Sequence, residues 1–217
     1  MEKVKVWDRF IRFYHWFQVA LLVALWWTAE EGEIEWHFLL AYVLLCLWIT
    51  RIIWGCFGSD TAKFNEFIHH PIEVLSHARD IHRGEHSHYA GHTPLGGYMV
   101  ALMLFLLGVQ LITGLFSCDD VMTEGPLYSY VSEEVADFML QTHIKNFDVL
   151  VVLAVLHIIV IFAYLSKQHN LIIPMLWGSK KLPKGTEVNL KGCWVAFVIF
   201  FILTSIVLFI FTPDLMM

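Results

Sequence analysis

Five stretches of this chain are apolar enough, for long enough, to cross a lipid bilayer, and this restricts the fold more than any other feature. A spanning helix needs about 20 mostly apolar residues, because the hydrocarbon core is roughly 30 Å thick and a helix rises about 1.5 Å per residue. The windows run approximately over residues 13–29, 37–57, 95–117, 147–165 and 193–211. Composition agrees: 58% of the 217 residues are hydrophobic and 16% charged, against about 45–50% and about 25% in a soluble domain. A net charge of −6 with so much apolar surface also excludes a disordered chain or a nucleic-acid binder. Cysteines 46, 56, 118 and 193 show no CxxC spacing, so neither a disulfide framework nor a thiolate metal site is expected. The first window reads as a retained helix rather than a signal peptide. No small-residue cleavage site follows it, and Trp26 and Trp27 suit an interfacial anchor leading into an acidic turn.

Orientation follows from the basic residues. The N-terminal segment carries Lys3, Lys5, Arg9 and Arg12. The end of the second window and the loop after it carry Arg51, Lys63, Arg79 and Arg83, and the segment before the fifth window carries Lys167, Lys180, Lys181, Lys184 and Lys191. Thirteen of the 14 basic residues thus share one side, with only Lys145 opposite. The positive-inside rule then predicts a multi-pass membrane protein with its N-terminus in the cytoplasm and its C-terminus outside. Eight acidic residues share the basic side and 12 lie on the other, leaving surpluses of five positive and eleven negative charges. The outer acids cluster at Glu30, Glu31, Glu33 and Glu35 and again between Asp119 and Asp137. Such a field steers a partner of opposite sign, although acidic loops can also be merely solvated.

The one long connection, residues 58–94, holds residues 72–83, whose Ile72, Leu75, Ala78 and Ile81 recur at helical spacing. This predicts a short amphipathic helix on the cytoplasmic interface. Residues 131–141 are expected to be helical and to extend the fourth span beyond the membrane.

Ionisable side chains within spans are costly and usually functional. Four of the 12 histidines sit in or at the ends of the windows: His15, His37, His143 and His157. His143 and His157 are 14 residues apart, which on a helix is only some 40° short of four full turns and about 21 Å of rise. Both rings therefore project from nearly one face, one toward each membrane surface, as two bis-histidine haems would require. Depth then matches His37 with His143 in an outer pair and His15 with His157 in an inner pair. Singly, each histidine could be a packing or proton-relay residue; together, four candidates form two level pairs with none left over.

Other signals are weaker. Gly97, Ala101 and Gly108 form a small-residue stripe that admits either another helix or a flat macrocycle. Arg51 returns to the face of His37 near the cytoplasmic surface, and Arg9, Arg12 and Arg51 are candidate contacts for inner haem propionates, with snorkelling as the alternative. The His-rich residues 82–92 are read as a solvated loop in preference to a metal site.

These residues resemble the bacterial di-haem cytochrome b561 superfamily, specifically the b-type cytochrome subunits of Ni-Fe hydrogenases. The resemblance spans about residues 5–175. It rests on WDRF at 7–10 through His15 and Trp16, on Trp36 and His37 through RIIWG at 51–55, on Ala62, Lys63, Phe64 and Pro71, on GHTPLGG at 91–97, and on the histidine pair of the fourth span. It implies an all-α integral membrane fold: a four-helix bundle holding two haems b on His15, His37, His143 and His157, plus a fifth, C-terminal transmembrane helix. Residues 1–175 would form the di-haem domain, and residues 176–217 a cytoplasmic linker and the fifth helix.

Relatives carry electrons between a membrane quinone and a periplasmic redox partner. The expected role is therefore an electron-transfer subunit rather than a complete enzyme, since no haem-attachment CxxCH and no nucleotide motif occurs in the chain. The partner would be a c-type cytochrome, a hydrogenase or another metalloenzyme docking on the acidic outer loops, with room for an oligomer. Two alternatives stand beside this reading. One is a stand-alone superoxide:quinone oxidoreductase-type cytochrome, which the negative outer face disfavours. The other is a haem-free transporter or metal-binding membrane protein using the loop histidines.

Overall fold

The computed structural model describes residues 1–83, 89–119, 123–167 and 169–211. β1 (Glu2–Lys5) leads into two long helices, α1 (Arg9–Glu30) and α2 (Ile34–Phe57). Two short helices, α3 (Phe64–Phe67) and α4 (Pro71–Arg83), precede α5 (Pro94–Phe116). A two-stranded ribbon of β2 (Cys118–Asp119) and β3 (Thr123–Glu124) connects to the longest helix, α6 (Glu133–Ser166). α7 (Ile172–Trp177), β4 (Ser179–Leu182) and α8 (Trp194–Phe211) follow. The fold is an all-α integral membrane architecture. Among the described residues four helices, α2, α5, α6 and α8, are long and apolar enough to span a bilayer. The fifth, α1, has the length, at 22 residues, but Tyr14, His15, Gln18 and its tryptophans dilute its apolar content. It nonetheless packs along α2 after a tight turn in which Gly32 takes a left-handed φ of 72°.

Helix ends follow from capping chemistry. The Asp8 carboxylate accepts from Ile11 N at 2.8 Å, Thr93 Oγ1 from Gly96 N at 3.1 Å with Pro94 in the first turn, and Ser132 Oγ from Val135 N at 3.4 Å. Each satisfies an N–H that the helix itself leaves unpaired. Glu133 and Glu134 in the first turn of α6 sit favourably at the positive end of its dipole. At 34 residues, α6 is about 51 Å long, so its first turns project beyond a roughly 30 Å core, in line with the helical extension expected over 131–141.

The three basic segments gather at one end. β1 pairs antiparallel with β4, Glu2 opposite Leu182 and Lys5 opposite Ser179. Arg12 Nη1 donates to Leu176 O at 2.7 Å, Lys180 Nζ to Tyr89 O at 2.9 Å, and Lys191 N to Ser59 Oγ at 3.0 Å. This small β-ribbon was not expected from the sequence, which reads as loop at both strands. α4 covers the predicted amphipathic segment and leaves Ile72 and Leu75 exposed; the side chains of Ala78 and Ile81 lie outside the described ones. The fifth long helix joins the bundle rather than standing apart: Phe197 and Phe200 of α8 meet Phe10, Phe13 and Phe17 of α1, and Phe211 stacks on Tyr42 of α2 at 5.3 Å.

Asp8 has a second task, because its other carboxylate oxygen accepts from Trp54 Nε1 at 2.9 Å in the buried contact between α1 and α2. Asp8→Ala removes a cap worth about 1 kcal/mol and strands a buried indole N–H at a further cost of about 1–3 kcal/mol. The expected result is a clearly lowered thermal midpoint in detergent, with Asp8→Asn in between. Equal midpoints for wild type and Asp8→Ala would contradict this.

Candidate functional site

Among the described residues α6 packs along α5 and α1 packs along α2, while α6 approaches α1 and α2 only sparsely. Two histidine pairs face each other across the resulting gap. At the acidic end, His37 of α2 and His143 of α6 have ring centroids 6.5 Å apart with planes at 71°. At the basic end, His15 of α1 and His157 of α6 are likewise 6.5 Å apart, at 51°.

The acidic-end rings are held by one device used twice. His37 Nδ1 lies 3.0 Å from Leu25 O and 3.3 Å from Thr28 Oγ1, and His143 Nδ1 lies 2.9 Å from Gln110 O and 3.4 Å from Thr113 Oγ1. A carbonyl oxygen only accepts, so each Nδ1 carries the hydrogen and each Nε2 keeps its lone pair. That is the tautomer of a metal-ligating imidazole oriented from behind. α5 fixes the His143 side further: Asn146 Nδ2 donates to Gln110 Oε1 at 2.7 Å and to Leu106 O at 3.0 Å, both in the α5–α6 seam. The ring of His143 lies over Gly114, where a Cβ would come within 2.9 Å of Cε1.

Near the basic-end pair are polar atoms that are buried yet lack a hydrogen-bond partner among the described residues: His15 Nδ1, Tyr14 Oη, Arg51 Nη1 and His92 Nδ1. Buried polar groups are ordinarily paired, so such a group of orphans marks a place for a polar ligand.

Both pairs suit an iron porphyrin. Metal–imidazole bonds run roughly 2.0–2.1 Å (the zinc value), and a ring nitrogen lies about 1.1 Å from the ring centre. Two imidazoles on opposite sides of one metal therefore have centroids about 6.3 Å apart, against 6.5 Å in each pair.

The arginines do not act as a set. Arg9 is exposed. Arg12 is engaged with Leu176 O, its Nε buried without a partner. Arg51 is 3% exposed and lies against the rings of Phe64, Tyr14 and Phe67, at 5.3, 5.9 and 6.0 Å. The small-residue stripe is filled by protein: Gly97 lies against the Phe67 carbonyl, and a Cβ on Gly108 would come 2.6 Å from the Trp48 indole. The macrocycle alternative for that stripe is thereby set aside. Gly114, six residues after Gly108 and not part of that stripe, is the glycine that seats a histidine.

Within the His-rich stretch, residues 84–88 and the side chain of His82 lie outside the described ones. His92 departs from the solvated-loop expectation. Its ring packs between Trp7 and Phe67, both at 4.8 Å. Burial, with Arg51 and then His157 and His15 nearby, pushes it down to about 3, so it is a neutral imidazole near pH 7. The GHTPLGG stretch pointed to this residue, but only as part of a resemblance.

A family model described as prokaryotic cytochrome b561 matches residues 6–178, leaving β1, β4 and α8 outside the matched region. Comparison with curated proteins and with solved structures gave no match.

Proposed function

The chain belongs to the prokaryotic cytochrome b561 family, and from that premise we propose that it is the di-haem b subunit linking a membrane quinone to a periplasmic redox partner. Family membership makes it a membrane b-type cytochrome of electron transfer. The Ni-Fe hydrogenase branch, the two haems, the quinone and the inner-membrane topology are our reading. The observation that carries it is the two pairs of facing imidazoles, His15 with His157 and His37 with His143, each with ring centroids 6.5 Å apart, a separation at which both rings of a pair would hold one haem iron.

In this reading His37 and His143 hold the outer haem, and His15 and His157 the inner. Haem iron supplies one-electron exchange when bound. The protein contributes geometry and electrostatics. The carbonyls of Leu25 and Gln110 fix the outer imidazoles and raise their basicity. The macrocycles would lie between α6 and the α1–α2 pair, where the histidine rings face each other. Quinone would meet the inner site near the basic ends of α1, α2 and α6.

The test is reduction by quinol. Oxidised membranes containing the protein should show b-type absorption on addition of a soluble quinol analogue, and His157→Ala should suppress it. Reduction by dithionite but not by quinol would end the quinone part of the proposal. Docking of the partner should be electrostatic, since the acidic end carries a large negative surplus. Screening shortens from about 10 Å at 0.1 M salt to about 3 Å at 1 M, so a periplasmic protein that co-purifies at low salt is expected to be lost at high salt. Retention undiminished at 1 M would contradict acidic-face docking.

A further inference from the structure

Residues 91–97 supply most of the family resemblance in the loop, and four of the seven have a local structural reason. Gly91 passes Thr61, with a Cβ position 3.4 Å from that side chain. Thr93 caps α5 and Pro94 starts it. Gly97 allows the Phe67 carbonyl to lie against the helix. His92 has no such reason. It contributes no cap and no turn, yet its ring is clamped between two aromatic residues with Nδ1 enclosed and unpartnered.

Beside it is an unsatisfied cation. Arg51 is 97% buried, its Nη1 has no acceptor among the described residues, and no ion pair there involves it. Asp8 commits its two carboxylate oxygens to Ile11 N and Trp54 Nε1, so it makes no ion pair with Arg51. Aromatic faces offset part of the cost of burying the guanidinium, but a buried charge without an ionic partner remains strongly unfavourable. A neutral ligand such as a quinone would leave that charge uncompensated. An acidic one would not.

We propose that His92 and Arg51 together bind a carboxylate at the inner site, a propionate of the haem held between His15 and His157, with Tyr14 Oη as a further donor. The Arg51 guanidinium supplies the charge and His92 a directed N–H. The loop before α5 thereby forms part of the inner site although it lies outside the helical bundle. The inference rests on the inner-haem reading above.

The test uses the whole purified protein in five versions: His92→Phe, His92→Gln, Arg51→Gln, Arg51→Lys, and His157→Ala as reference. Redox titration of the b-type bands is expected to shift one haem toward the oxidised form in Arg51→Gln by at least about tenfold, which is 59 mV for one electron, or to show that haem lost. The other haem should be unmoved. His92→Phe keeps an aromatic ring between Trp7 and Phe67 but loses the N–H, so a smaller shift in the same direction is expected. His92→Gln and Arg51→Lys should lie nearer wild type. A purely packing role for His92 would leave the potential of His92→Phe unchanged. If Arg51→Gln does not assemble, His92→Phe against His92→Gln decides alone. The inference is overturned if His157→Ala loses a haem while folded His92→Phe, and Arg51→Gln where it assembles, titrate like wild type. If His157→Ala keeps both haems, the inner-haem reading itself falls.

Discussion

Purified His143→Ala is expected to contain half the haem of the wild type, with the remaining half spectrally unchanged. His143 faces His37 across 6.5 Å, and a lone imidazole on α2 cannot hold a six-coordinate iron. The inner pair should be untouched, because His157 lies about 21 Å further along the same helix and meets His15 from α1. The reciprocal results follow. His37→Ala should reproduce His143→Ala, and both His15→Ala and His157→Ala should remove the other half. Haem content by pyridine haemochrome and reduced-minus-oxidised spectra read this directly. Two low-spin haems surviving in both members of either pair would refute the pairing.

Gly114→Val should match His143→Ala without touching a histidine. The Cβ alone would sit 2.9 Å from His143 Cε1 and 3.2 Å from Nδ1, and valine adds two methyl groups that α5 cannot turn away. Either the ring rotates, breaking its hydrogen bond to Gln110 O at 2.9 Å, or α5 and α6 separate and unseat the buried Asn146–Gln110 contact. Both outcomes misplace Nε2. Loss of the outer haem with the inner retained is expected, and Gly114→Ala should be milder. Outer haem in full occupancy and with unchanged spectrum in Gly114→Val would show that α5 does not seat this ring.

Much of the helical frame was legible in the sequence, because hydropathy over about 20 residues reports length and environment at once. The extension of α6 beyond its apolar core was also expected, over residues 131–141. Partnership is harder to read, because a window records what a helix is made of and not what lies against it. The Gly97 and Gly108 stripe illustrates this: small residues advertise close approach, but whether by a macrocycle, a Trp48 indole or the Phe67 backbone is decided in three dimensions.

The same limit explains the loop residues. His92 sits in a polar, histidine-rich stretch that reads as solvated, and only the packing of Trp7 and Phe67 around it turns the ring inward. Arg9, Arg12 and Arg51 are alike in type and nearness to the basic end, yet one is exposed, one binds a backbone carbonyl and one is buried. The histidines of the spans stood out because an ionisable group in an apolar helix needs a reason. The Leu25–Thr28 and Gln110–Thr113 supports behind them did not, since a threonine three residues after a carbonyl is ordinary in any helix.

The account depends on two clamps for iron porphyrin within one chain. The most direct measurement is the haem b content of the intact, purified protein by pyridine haemochrome, set against protein mass. About two haems b per chain, both with low-spin spectra, is the predicted result. Colourless protein, or one haem per fully assembled chain, would contradict it.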